Sequence, residues 1–182
     1  TDSHFTRYSS LEVYDVISPC FQYAYRARLR ESLFHMHEIP LVVGPNQMLV
    51  GWHGVSSGSN WTNFIETIFD LVLALYVEEL GTTGYKGLYA IGDDMAWTSN
   101  AYSKEFADQL AEIGESVGQV IKADKTTNDP GKVKSLQRLF QGGYERPDGL
   151  LRGVYSTVRA LKSSVYPERF HKPKLWSSDM FC

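Results

Sequence analysis

The sequence predicts an α+β fold in which helices pack against an antiparallel sheet. Short apolar segments occur in pairs joined by turns rich in Gly, Pro, Asn or Asp, which is typical of β-hairpins. Longer stretches between these pairs repeat apolar residues at helical spacing. The chain has 182 residues, 43% of them hydrophobic and 13% aromatic, so it is long enough to fold around a substantial core.

The first third of the chain predicts two helices and a hairpin. Ser9 or Ser10 is the expected amino-terminal cap of the first helix, and Pro19 is expected to end or bend it. The predicted elements are a helix from about residue 11 to Pro19, a helix over residues 21–36 and a hairpin of residues 39–43 with 47–50.

A glycine-rich polar loop, residues 54–63, leads into a predicted helix over residues 62–80. Such a loop at a helix start can present backbone N–H groups to an anion or a ribose. Its spacing differs from that of a Walker A loop, and it lacks the lysine of that motif. As an isolated feature it is equally well explained as an ordinary helix cap.

Two adjacent carboxylates, Asp93 and Asp94, follow Gly92 between the apolar segments 87–91 and 95–98. This pattern predicts a hairpin with the acids at its tip. Neighbouring carboxylates repel each other unless a cation lies between them, and Mg²⁺ binds one or two carboxylates together with substrate phosphates. The alternatives are a solvated turn, in which Gly and Asp suit the backbone, and a Ca²⁺ site.

The remainder of the chain predicts a mixture of helices, strands and turns. The expected elements are a helix over residues 102–115, a short strand at 119–122, a loop at 123–131, a strand at 132–141 that ends at Gly142 and Gly143, a helix over 150–163, and a basic tail from Tyr166.

Composition excludes few classes of function. The net charge of −3 argues mildly against a general nucleic-acid binder, but a groove needs only local positive charge. Cys20 and Cys182 form no metal-binding pair, which predicts neither a zinc site nor a disulfide scaffold. No apolar stretch is long enough for a membrane span, and no signal peptide is visible. Because the chain begins with Thr1, we expect it to be processed or to be part of a longer protein.

Three features, taken in their order along the chain, resemble the palm domain of viral RNA-dependent RNA polymerases, and most closely those of partitiviruses and picobirnaviruses. Ser57-Gly58 with Thr62 resembles motif B, Gly92-Asp93-Asp94 resembles motif C, and Lys125 resembles the lysine of motif D. The resemblance implies a right-hand polymerase palm over residues 1–165 and a connection towards the thumb over 166–182. It also implies missing fingers and thumb parts, and a double-stranded RNA virus as the source.

The resemblance implies RNA synthesis from NTPs on an RNA template by a two-metal mechanism. Asp93 and Asp94 would bind Mg²⁺ or Mn²⁺, and Lys125 would stabilise the pyrophosphate leaving group. The implied substrate-binding residues are Asp2, which would accept a hydrogen bond from the ribose 2′-hydroxyl, and Ser57, Gly58, Thr62 and Glu66. Product RNA would contact Arg138, Arg146, Arg152 and Arg159, although surface solubility explains these arginines equally well.

Two departures limit the resemblance. The first aspartate of motif A, a metal ligand in the family, would precede Thr1, so only Asp2 remains of that motif. Glu66 stands where the family commonly has an asparagine, which puts ribose discrimination by that residue in doubt. We therefore expect these 182 residues to be inactive alone.

Two alternatives to an RNA polymerase remain. A reverse transcriptase or other palm polymerase usually has a bulkier residue before the two aspartates, so Gly92 favours the RNA polymerase. The other alternative is a non-catalytic binding module with a structural Asp-Asp turn. The expected partners are RNA template, RNA product and NTPs, and the expected location is the virion or the host cytoplasm.

Overall fold

The computed structural model describes residues 4–81, 85–167 and 171–178. Within them, helices alternate with antiparallel hairpins, so the predicted α+β class is confirmed. The helices are α1 (Arg7–Ile17), α2 (Tyr23–His35), α3 (Thr62–Glu79), α4 (Phe106–Ser116) and α5 (Thr157–Val165), and the strands are β1 (Leu41–Gly44), β2 (Gln47–Leu49), β3 (Tyr85–Ile91), β4 (Asp94–Ser99), β5 (Lys132–Ser135), β6 (Arg138–Gln141) and β7 (Val154–Tyr155).

The described strands form three separate antiparallel sheets rather than the single sheet that the sequence suggested. β1 pairs with β2, β3 pairs with β4, and β5, β6 and β7 form the third sheet in that order. Two-residue turns join β1 to β2, β3 to β4 and β5 to β6, whereas residues 142–153 separate β6 from β7. Local turn chemistry therefore accounts for most of the pairing but not for that of β7.

The chain divides into two compact units, Thr1–Asn128 and Asp129–Cys182. The first unit contains α1 to α4 and β1 to β4, and the second contains β5 to β7 and α5. All buried residues that the structure describes belong to the first unit.

The core of the first unit is built around α3. One end of α3 packs against α1 and α2, where Val13, Leu33 and Ile65 are fully buried. The other end packs against α4 and the β3–β4 hairpin through a second cluster that includes Val77 and Leu110. Because α3 belongs to both clusters, it fixes the hairpin relative to the loop that precedes the helix. None of the described helices combines the length and apolar character needed to cross a bilayer.

The start of α1 differs from the prediction. Thr6 is the amino-terminal cap, and its side chain accepts a hydrogen bond from the Tyr8 N–H at 3.3 Å. Ser9 and Ser10 lie inside the helix and are buried, so the prediction of a serine cap is wrong. The physical reason is a tertiary contact, because the Ser10 hydroxyl bonds the His37 ring.

The predicted helix over residues 102–115 begins later, at Phe106, and the predicted strand at 119–122 is absent. Gly118, with φ of +80°, ends α4, and the Gln119 N–H donates to the Gly114 carbonyl at 2.8 Å. The chain therefore turns back at the end of α4, and Ile121 packs beside Gly114. This packing takes the place of strand pairing.

In the second unit, the predicted single strand at 132–141 is a hairpin. Leu136 and Gln137 form its turn, with φ of +47° and +62°. The predicted helix over 150–163 begins only at Thr157, because Ser156 caps it and the preceding residues Val154 and Tyr155 pair with β6. The first difference arises from a turn with no Gly or Pro at its centre, and the second from the pairing of β7 with β6.

Candidate functional site

The two adjacent carboxylates lie at the tip of the β3–β4 hairpin. Ile91 pairs with Asp94, so Gly92 and Asp93 are the two turn residues and Asp94 begins β4. Asp93 is exposed and Asp94 is half-buried. The predicted hairpin is confirmed, with the refinement that only the first acid belongs to the turn itself.

The tip is attached to α3 by a hydrogen bond and by close packing. The Gly92 N–H donates to Thr67 Oγ1 at 2.8 Å, and the Thr67 hydroxyl donates to the Asn63 carbonyl at 2.7 Å. Gly92 has φ of +58°, and a Cβ added there would lie 3.0 Å from Asn63 Nδ2 and 3.4 Å from Glu66 Oε2. The backbone conformation therefore favours glycine, and a Cβ would also press on the Asn63 side chain.

Two buried acidic side chains, Glu66 and Asp70, lie one helical turn apart on α3, behind the tip of the β3–β4 hairpin. Their relative exposures are 6% and 4%. Burial, together with the negative charges of Glu66 and Asp93, raises the pKa of Asp70 to about 8. Among the described residues, Asp70 Oδ2 has no hydrogen-bond partner. The Asp70 carboxyl is therefore largely protonated at neutral pH.

Asp70 was missed by the sequence reasoning. The signal that could have found it is a second acid on the buried, mainly apolar face of α3, four residues after Glu66. Only the position of the hairpin shows that this acid lies close enough to Asp93 for their charges to interact.

The acids do not complete a metal site within the described part of the chain. No group of three or more His, Cys, Asp or Glu side chains there is arranged to hold a metal ion. Asp93 and Asp94 offer hard oxygen donors of the type that Mg²⁺ and Mn²⁺ prefer, so their chemistry fits such an ion, but further ligands are needed. Asp2 lies outside the described residues.

The glycine-rich loop forms a tight turn immediately before α3. The Ser59 N–H donates to the Ser56 carbonyl at 2.9 Å, and Gly58 has φ of +89°, which a non-glycine residue adopts poorly. Ser57 and Gly58 are exposed, whereas Thr62 is buried and donates from its hydroxyl to the Ser56 carbonyl at 2.7 Å. The exposed face of this turn is thus available to a ligand, while Thr62 holds its shape.

Lys125 lies in a single helical turn, Ala123–Lys125, after α4. It is exposed, and it has no ion-pair partner among the described residues. Its ammonium group is therefore free of protein counter-ions there and can meet an anionic ligand.

The four arginines proposed to contact RNA all lie in the second unit and are exposed. Each also has a partner within that unit. Arg138 stacks over the Tyr155 ring at 5.5 Å, Arg146 pairs with Asp148 at 2.8 Å, Arg152 donates to the Glu145 carbonyl at 3.2 Å, and Arg159 donates to Gln137 Oε1 at 2.8 Å. These contacts hold the four arginine side chains in defined positions on the surface of the second unit.

The chain is similar in sequence to a viral protein. No family model matches it. It is 30% identical over 145 residues to a potential RNA-dependent RNA polymerase of a human picobirnavirus strain from Thailand. That alignment covers 79% of this chain and 26% of the viral protein.

Two solved structures have a similar fold. The crystal structure of an insertion-loop deletion mutant of a human picobirnavirus RNA-dependent RNA polymerase matches with a TM-score of 0.83 and 26% identity, and covers 99% of this chain. The crystal structure of the RNA-dependent RNA polymerase of a human picobirnavirus matches with a TM-score of 0.82 and 25% identity, also over 99% of this chain. The chain spans about a quarter of the curated relative and about a third of each solved chain.

Proposed function

We propose that this chain, which is related in sequence and fold to the RNA-dependent RNA polymerases of human picobirnaviruses, is the palm part of a template-directed RNA polymerase. One observation carries the proposal. Gly92-Asp93-Asp94 forms a hairpin tip held against the helix that begins at the glycine-rich loop, within a chain that matches those polymerases over nearly its whole length.

In the proposed reaction, a 3′-hydroxyl attacks the α-phosphate of an NTP and releases pyrophosphate. Asp93 and Asp94 would hold Mg²⁺ or Mn²⁺, which stabilises the attacking and leaving oxygens when bound. Attachment of the tip to α3 through Thr67 keeps these carboxylates in one place. Lys125 would stabilise or protonate the leaving pyrophosphate, in keeping with an exposed ammonium group that pairs with no carboxylate among the described residues.

Nucleotide binding would use the turn before α3. Ser57 and Gly58 are exposed and would contact the nucleotide, whereas Thr62 would act through the turn that it holds. We propose Asp2 and Glu66 as residues near the ribose. The contribution of Glu66 would come from behind the hairpin tip, since its side chain is buried against Gly92.

The proposed partners are RNA template, RNA product, NTPs and the fingers and thumb parts of the polymerase, because the chain corresponds to only about a third of the solved enzymes. We propose residues 1–165 as palm and 166–182 as the connection towards the thumb. Arg138, Arg146, Arg152 and Arg159 would contact the backbone of the product strand. The proposed location is the virion or the host cytoplasm.

Primer extension by a full-length polymerase carrying these residues tests the proposal. Replacement of Asp93 by Ala should lower the rate of extension on an RNA template with Mg²⁺ by roughly a thousandfold, because a ligand of the catalytic ion is lost. Asp108→Ala is the matched control, since Asp108 is an exposed acid on α4, and it should leave the rate unchanged.

Normal extension by the Asp93→Ala enzyme would show that the assignment is wrong. Incorporation of dNTPs in preference to NTPs would instead favour a reverse transcriptase. A wild-type enzyme that binds Ca²⁺ but extends no primer would favour the non-catalytic module.

A further inference from the structure

We infer that His37, acting with Ser10 and His53, is a positioning residue that holds residues 54–59 of the glycine-rich loop in the shape that binds the nucleotide. The inference rests on the function proposed above, because the proposed polymerase reaction gives this loop its ligand. Its own evidence is a set of hydrogen bonds around the fully buried His37 ring that join the loop to two other segments of the first unit.

His37 is completely buried in the segment that follows α2, and both of its ring nitrogens have partners. Ser10 Oγ lies 2.7 Å from Nε2, and the His53 carbonyl oxygen lies 2.8 Å from Nδ1. A carbonyl oxygen only accepts hydrogen bonds, so Nδ1 must carry a proton. Burial lowers the pKa of His37, and the nearby charges of His53 and Arg7 lower it further, so the ring is neutral. Nε2 therefore accepts the hydrogen bond from the Ser10 hydroxyl.

The contact between His37 and His53 is reciprocal. The His53 N–H donates to the His37 carbonyl at 3.1 Å, while the His37 ring donates to the His53 carbonyl. The two residues are thus joined by two hydrogen bonds, one of which is made by a side chain. Loss of the ring would leave a part-buried carbonyl oxygen without its donor, which is more costly than loss of an exposed hydrogen bond.

His53 extends this contact to the first residue of the loop. Its Nδ1 lies 2.7 Å from the Gly54 carbonyl oxygen, and its Nε2 lies 2.9 Å from the Ile39 carbonyl oxygen. An imidazole ring always carries at least one N–H group, so at least one of these two contacts is a hydrogen bond. The ring thus lies between the loop and the segment that leads into β1, in contact with a carbonyl oxygen of each.

The next two residues of the loop, Val55 and Ser56, are also held by hydrogen bonds. The Val55 N–H donates to the Phe5 carbonyl at 2.9 Å, and the Ser56 carbonyl accepts the Thr62 hydroxyl at 2.7 Å. Backbone contacts therefore fix both sides of the turn that exposes Ser57 and Gly58. The Ser56 hydroxyl also donates to the Met36 carbonyl at 3.5 Å, so the turn is joined directly to the segment that contains His37.

The Ser10–His37 pair is not a candidate nucleophile and base. Both side chains are fully buried, and the remaining nitrogen of His37 is occupied by a backbone carbonyl rather than by a carboxylate. A positioning role, by contrast, accounts for every hydrogen bond that Ser10 and His37 make through their side chains.

The test uses a full-length polymerase carrying these residues, with three variants. His37→Phe removes both ring contacts, Ser10→Ala removes only the contact at Nε2, and His37→Asn retains an amide donor near the place of Nδ1. We expect His37→Phe to raise KM for the NTP by about tenfold with a smaller change in kcat per active site. His37→Asn should recover part of that loss. Ser10→Ala should give an intermediate effect, and it is the variant least prone to misfold because Ala suits α1.

Hydrogen–deuterium exchange of the peptide spanning residues 53–61 provides a readout that does not depend on activity. The His53 and Val55 amides should exchange faster in His37→Phe and Ser10→Ala than in the wild type. His35→Phe is the matched control, since His35 is exposed on the last turn of α2, and it should leave KM and exchange unchanged.

Unchanged KM and unchanged exchange in folded His37→Phe and Ser10→Ala enzymes would overturn the inference. A fall in the number of active sites with the wild-type KM would also overturn it, since that result indicates a purely structural residue. If the wild-type enzyme extends no RNA, the proposed function itself is wrong. The exchange measurement then decides the role of His37 in the loop, and unchanged exchange would exclude it.

Discussion

At the scale of single residues, the hairpin tip depends on Gly92 and Thr67. Gly92 adopts a left-handed backbone and lies so close to Asn63 that any side chain would press against α3. Its N–H group is satisfied by Thr67, which in turn uses its own hydroxyl proton on the Asn63 carbonyl. The position of the two carboxylates is thus set by one glycine and one threonine far apart in sequence.

The buried carboxyl of Asp70 makes stability depend on pH. Its pKa is about 8 in the folded chain and near 3.8 in the unfolded chain, so the folded state binds the extra proton. The stabilisation from this proton is fully present below about pH 4 and is lost as the pH rises towards 8. Each pH unit in that interval corresponds to about 1.4 kcal/mol.

We predict that Asp70→Asn increases the free energy of unfolding by several kcal/mol at pH 9 and by far less at pH 4.5, because an amide cannot ionise. Urea unfolding of the 182-residue chain at both pH values measures the difference. Glu112→Gln, an exposed carboxylate on α4, is the control and should change stability little at either pH. Equal stability of Asp70→Asn and wild type at pH 9 would contradict the prediction.

At the scale of elements, α3 joins the two halves of the candidate site. The glycine-rich loop ends at its first residue, Thr62, and the hairpin tip is attached to it at Thr67. Its buried residues Ile65 and Val77 anchor it in two hydrophobic clusters. A long, doubly anchored helix is a rigid support, which is what a site made from separate loops requires.

The β5–β6 hairpin has an unusual turn. Leu136 and Gln137 both have positive φ, as in a type I′ turn, where Asn and Gly are favoured because side-chain sterics oppose that conformation. The turn is strained because Leu and Gln are poorly suited to positive φ. For the same reason, the residue types there predicted a continuous strand rather than a turn.

We expect Leu136→Asn to stabilise this hairpin by about 0.5–1 kcal/mol, because Asn tolerates the left-handed region better than Leu. Amide exchange of residues 132–141 should slow by about two- to fivefold. The Gln137 side chain is left intact, since it accepts a hydrogen bond from Arg159. Leu150→Asn, an exposed leucine whose φ is not positive, should not slow exchange, and faster exchange in Leu136→Asn would disprove the interpretation of the turn.

At the scale of the whole molecule, the chain corresponds to only part of the length of its relatives. It spans 26% of the curated viral relative and about a third of the solved polymerases. The second unit has no buried residue among those described, and α5 exposes Val158, Leu161 and Val165 along one face. The described carboxylates also fall short of a complete metal site.

We therefore predict that the isolated 182 residues do not extend a primer on an RNA template, whereas a full-length polymerase containing them does. The reason is that the described residues bring together too few metal ligands, and an incomplete ligand set binds metal weakly and supports little catalysis. Primer extension with Mg²⁺ and with Mn²⁺, at matched protein concentrations, makes the comparison. Robust RNA synthesis by the isolated chain would refute the prediction.

Local patterns predicted those parts of the structure that depend on neighbouring residues. The apolar repeat of α3, the Pro45-Asn46 turn between β1 and β2, and the Gly92-Asp93 turn all follow from helical spacing or turn chemistry, and the structure contains each of them. The strand predicted at 119–122 failed because Ile121 packs against α4, a contact that no local pattern encodes.

The sequence by itself determined the class of fold, the order of the glycine-rich loop, the acidic hairpin and Lys125, and their resemblance to a polymerase palm. The class of fold depends on periodicity and turn chemistry, and the resemblance depends on the order of these residues along the chain. Only the tertiary structure decided that Asp70 lies within the electrostatic reach of Asp93 and that His37 joins Ser10 to His53. Such contacts join residues up to 27 positions apart, and packing between elements, rather than local spacing, brings them together.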